Sequence, residues 1–70
     1  MEGGGDLILK LGAIRKARGM TQAELASKSG VPRISIARYE KGRIDPTTAV
    51  AKKIADTLGV TVDDLVGKGA

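Results

Sequence analysis

Seventy residues leave room for one small domain with a single core, because at this size only a modest share of the unfolded surface can be buried. The chain has no cysteine and no histidine, which excludes disulfide staples, thiolate or imidazole metal sites and every nucleophile–base arrangement that depends on those side chains. Twelve Lys and Arg against eight Asp and Glu give a net charge of +4, no apolar run approaches the roughly 20 residues of a membrane span, and the N-terminus lacks the basic-then-apolar order of a secretory signal, so a cytoplasmic protein is expected.

Met1 to Gly5 contains three consecutive glycines and is read as a disordered tail without function, the domain itself running over residues 6–66. From Asp6 to Arg18, Leu7, Leu11 and Ile14 recur at helical spacing, with Asp6 as the cap and Gly19 as the stop. Thr21 followed by Glu24 fits a capping box, so a second helix starts at Gln22 and ends near Ser29. Gly30 permits the turn, and Pro32 fits the first turn of a third helix that extends to about Lys41 and stops at Gly42. Asp45 with Pro46 is expected to open a fourth helix, whose buried stripe is Val50, Ile54 and Leu58 and whose end is Gly59. Thr61 with Asp64 repeats the cap pattern for a last short helix carrying Val62, Leu65 and Val66, after which residues 67–70 are expected to fray. The fold class is therefore all-α, five short helices in a compact bundle, and with Tyr39 as the only aromatic the core must be aliphatic.

The second and third helices, about eight and ten residues long around a glycine-containing turn, have the size and order of a helix-turn-helix. Ala26 is small where the two would cross, and Leu25, Val31, Ile36 and Tyr39 are placed to fill the space between them. On the stretches LGAIRKARGMTQAELASKSGV, ARYEKG and DPTTAVAKKIADTLGVTVDDL, residues 11 to 66 resemble the phage-repressor type of helix-turn-helix, the Cro/C1 or Xre family. The resemblance implies a lambda-repressor-like five-helix domain, dimeric binding to operator DNA and, usually, transcriptional repression. It also implies a charged pair, Arg15 with Glu40, tying the first helix to the end of the third. Pro32 departs from the family pattern, standing where a small hydroxyl residue commonly caps the third helix.

The third helix can be read independently at 100 degrees per residue from Arg33. Arg33, Ala37, Lys41, Ile34 and Arg38 then fall at about 0, 40, 80, 100 and 140 degrees, whereas Tyr39, Ile36 and Glu40 fall at about 240, 300 and 340 degrees. One face is anchored. The other carries long donors around an isoleucine and an alanine, which suits base edges in a major groove. Arg33 and Arg38 can each fork onto guanine O6 and N7, the competing reading being phosphate neutralisation; Ile34 suits a thymine methyl, with a protein contact as its alternative; Ala37 keeps the backbone close. Local charge agrees: residues 32–43 hold Arg33, Arg38, Lys41 and Arg43 against Glu40 alone. Gln22, at a helix N-terminus, matches the family position that bonds phosphate, and Lys41, Arg43 and Thr47 are expected on the DNA backbone as well.

Asp63 and Asp64 have no third ligand nearby, so no metal is expected, nor any cofactor or small-molecule ligand. An enzyme is poorly supported, since no paired acid and base is evident. The stronger rival to a transcriptional regulator is an antitoxin-like or adaptor module on the same fold. No sensor or oligomerisation domain is expected after residue 66, so a homodimer would rest on Val62, Val66 and their neighbours, weak in solution and pairing on DNA over half-sites about one helical turn apart.

Overall fold

The computed structural model of the chain describes residue 8 and residues 10–66, and among them the elements are five helices and no strand. The expected tail (1–5), the Asp6 cap with Leu7, and the fraying end (67–70) lie outside the described residues.

The first helix, α1 (Leu11–Ala17), starts well after the Asp6 expected from the periodicity. Ile8 explains the difference: it is non-helical and buried, plugging the core before the helix begins. Lys10 N–H donates to the Leu65 carbonyl at 3.0 Å, fastening this approach segment to the far end of the domain. The apolar residues Ile8, Leu11 and Ile14 thus face the core without all lying in one helix.

The next helix, α2 (Gln22–Ser29), opens on the capping box: Glu24 N–H donates to the Thr21 hydroxyl at 3.0 Å, and Thr21 N–H to the Glu24 carboxylate at 2.8 Å. It closes at Gly30, whose φ of 80° lies in the left-handed region where a side chain would be strained. The turn leads through buried Val31 into α3 (Arg33–Glu40), with Pro32 preceding the first helical residue and Lys41 following the last. The fourth helix, α4 (Thr48–Leu58), corrects the expectation that Asp45 and Pro46 open it: the cap is Thr47, whose hydroxyl accepts from Val50 N–H at 3.2 Å. The last, α5 (Val62–Val66), follows reciprocal bonds between Thr61 and Asp64.

Leu11, Leu25, Ile36, Ile54 and Leu65, fully enclosed, bring one residue from each helix into a single core, completed by Ile8, Val31, Tyr39, Ala55 and Leu58. Helix α2 packs on both α3 and α4, while α1 packs on α3 and α5. The core therefore grips α3 by one face and leaves its opposite face outside.

Candidate nucleic-acid interface

Helix α3 separates into two faces. Ile36 and Tyr39 are buried, whereas Arg33, Ile34 and Arg38 are exposed, Ile34 by 62% of its surface, and Ala37 lies half-buried between them. A large aliphatic side chain that open to water takes no part in the core. Beyond the helix, Gly42 turns the backbone with a φ of 73°, its N–H donating to the Tyr39 carbonyl, and Arg43 N–H donates to the Arg38 carbonyl. This tight ending leaves Lys41 and Arg43 exposed immediately after the helix. Thr47 is exposed nearby; its oxygen is engaged as the α4 cap, leaving its O–H able to donate.

The inner edge of α3 carries a bidentate ion pair. Arg15 Nε donates to Glu40 Oε2 at 2.6 Å and Arg15 Nη2 to Glu40 Oε1 at 3.0 Å, with the two side chains only 9% and 13% exposed. The remaining guanidinium arm, Nη1, donates to the Met20 carbonyl at 2.8 Å, so α1 also holds the turn that precedes α2. Partial burial pushes the Glu40 carboxyl up, but hydrogen bonds from Arg15 and Gln22 and the charges of Arg15 and Lys16 outweigh it, holding it below the ordinary carboxylate range. The same Glu40 hydrogen bond raises the Arg15 guanidinium above its ordinary value, against the cost of its own burial.

Gln22, expected from the resemblance to bond phosphate, is half-buried at the α2 N-terminus and its Nε2 donates to Glu40 Oε1 at 3.1 Å. Two further residues escaped the sequence reading. Gly12 lies against the Glu40 carboxylate, where a Cβ would stand 3.2 Å from Oε1; an isolated glycine inside a helical stretch was the available signal. Ile44 is 42% exposed in the loop after Arg43. Among the described residues no group of three acidic side chains could hold a metal ion, and no helix is long and apolar enough to cross a membrane.

The helix-turn-helix family matches residues 11–65 of the chain. The chain is similar to an uncharacterised helix-turn-helix transcriptional regulator of Methanocaldococcus jannaschii, 43% identical over 80% of this chain and 85% of that protein. It is similar also to the immunity repressor of Bacillus phage phi105, 36% identical over 84% of this chain and 41% of the repressor. A third relative is the cryptic phage CTXphi transcriptional repressor RstR of Vibrio cholerae, 41% identical over 80% of this chain and 50% of the repressor. The chain thus spans most of the archaeal relative and half or less of the two phage proteins. No solved structure matches it significantly.

Proposed function

The chain belongs to the helix-turn-helix family, and on that premise we propose that it is a transcriptional regulator, acting as a repressor, that binds double-stranded DNA in a sequence-dependent way by laying α3 in the major groove. The observation that carries the reading is the outer face of α3: Arg33, Ile34 and Arg38 stand exposed on a helix whose opposite face is locked in the core. Two guanidinium forks reach the acceptors on guanine, Ile34 packs on a thymine methyl, and half-buried Ala37 lets the backbone come near. Gln22, Lys41, Arg43 and Thr47 hold the flanking phosphates, fixing register without reading sequence.

Titration with mixed-sequence duplex tests the premise, since phosphate contacts alone support binding at low salt; no binding there overturns it. Selection of bound sites from random DNA, repeated with Arg33→Ala and Arg38→Ala, tests the assignment of the face. Each change is expected to relax preference at one position of the site, with a discrimination loss of about 1 to 3 kcal/mol. Uniform weakening with an unchanged preferred sequence would reassign both arginines to phosphate.

A further inference from the structure

We propose that Glu40 is a positioning residue for DNA binding: held by Arg15, it accepts one N–H of the Gln22 amide and so fixes the direction in which the other N–H is offered to a phosphate. This rests on the reading of Gln22 as a phosphate contact.

The geometry leaves the carboxylate little freedom. Arg15 grips both of its oxygens, at 2.6 and 3.0 Å, and a bidentate fork fixes the plane of the group as well as its position. Gly12 walls it from the α1 side, so close that a methyl group there would press on Oε1. The third Arg15 bond, to the Met20 carbonyl, ties the same assembly to the backbone two residues before Gln22. Into this frame Gln22 donates Nε2–H at 3.1 Å. A primary amide has two N–H donors on one planar nitrogen, so pinning one sets the heading of the second. That second donor lies at the α2 N-terminus, whose unpaired backbone N–H groups favour an anion. Gln22 and Arg33 line the same open depression there, placing the amide beside a cation of α3. Arg15 also cancels the carboxylate charge that would otherwise repel a phosphate. The bland reading is a chance contact between a surface glutamine and a structural ion pair. It predicts that Glu40 affects stability alone.

A double-mutant cycle separates the two. Affinity for a short mixed-sequence duplex is measured at one salt concentration for the wild type, Gln22→Ala, Glu40→Gln and the double variant, each shown to be folded by circular dichroism. Glu40→Gln is expected to weaken binding about five-fold in the wild-type background and by no more than about 1.5-fold in the Gln22→Ala background. Equal losses in both backgrounds overturn the proposal. Should Glu40→Gln not fold, Gly12→Ala takes its place, because it displaces Oε1 without removing any partner and alanine favours the helix; it is expected to give a smaller loss with the same dependence on Gln22. Nuclear magnetic resonance of the free protein supplies a readout independent of DNA. The two Gln22 side-chain amide protons are expected to differ in shift and exchange rate, and to converge on free-amide values in Glu40→Gln or Gly12→Ala. An unchanged Gln22 amide overturns the proposal. If duplex binds but Gln22→Ala leaves affinity unchanged, the positioning role falls while the DNA-binding reading stands; if no duplex binds, both fall.

Discussion

Glu40 accepts from Arg15 and Gln22 and lies near the charge of Lys16, so its charge state is coupled to three neighbours at once. Because its carboxyl is held below the ordinary range, the folded chain binds fewer protons there than the unfolded chain. The stabilisation is complete above the unfolded value, about 4.3 for a glutamate, and drains away as pH falls through the lower folded value. Urea unfolding of the wild type and Glu40→Gln at pH 7, 5 and 3 is expected to show the wild type ahead at pH 7 and 5 and its lead shrinking at pH 3; a lead independent of pH would contradict this. Removing the cationic partner is the harsher change. Arg15→Ala leaves a largely buried carboxylate with one fewer partner and is expected to cost about 2 to 4 kcal/mol, the lower part of the range applying because Glu40 keeps some contact with water. Measured destabilisation of the size usual for a surface pair, below about 1 kcal/mol, would show the pair to be ornamental.

At the scale of the element, α2, α4 and α5 open on side-chain caps and α2 and α4 close on left-handed glycines, local causes that are open to direct test. Gly30 stands at a φ of 80° with nothing within 4 Å of where a Cβ would be, so the cost of Gly30→Ala is backbone strain alone. About 1 to 2 kcal/mol is expected, with Gly30→Asn costing less because asparagine tolerates this conformation; equal losses would point to a steric cause instead. Thr47→Ala removes the α4 cap and is expected to cost about 1 kcal/mol in thermal or urea unfolding, while Thr47→Ser restores it. The capping boxes at Thr21 and Thr61 were legible because both partners lie within four residues of each other. The opening of α4 was not, since Asp45, Pro46 and Thr47 all suit a helix start and the choice among them depends on how α4 seats its buried stripe. The start of α1 failed for a related reason: Ile8 reaches the core from non-helical chain, and burial periodicity alone does not distinguish that from a helical turn. The faces of α3 were legible from the 100-degree arithmetic, because burial of Ile36 and Tyr39 leaves the opposite side outside. The Gln22–Glu40 bond was not, since it joins residues 18 apart and arises only when α2 and α3 pack.

For the whole molecule, size limits how two copies meet. The domain measures 33 × 24 × 19 Å, and half-sites one helical turn apart would lie about 34 Å from centre to centre, so two copies bound in that way would meet only at their edges. Val62 and Val66, half-buried against the core, leave little apolar area for such a contact. Sedimentation of the free chain at micromolar concentration is therefore expected to show monomer or a weak monomer–dimer equilibrium, with cooperative occupancy appearing once DNA holds two copies side by side. A tight dimer in solution would contradict this and would require a larger interface than these valines provide.

The division of α3 into a gripped side and a free side also bears on how such a protein can change. Arg33, Ile34 and Arg38 add nothing to the core, so substitutions there alter what the helix presents without drawing on the stability that Ile36, Tyr39 and Glu40 supply. On the proposed reading, the residues that would select a target and part of what keeps the chain folded lie on opposite sides of one eight-residue helix. A library randomised at positions 33, 34 and 38 should therefore consist mostly of folded proteins with differing preferences, and the domain can be retargeted, by selection or by drift, while its scaffold stays as it is.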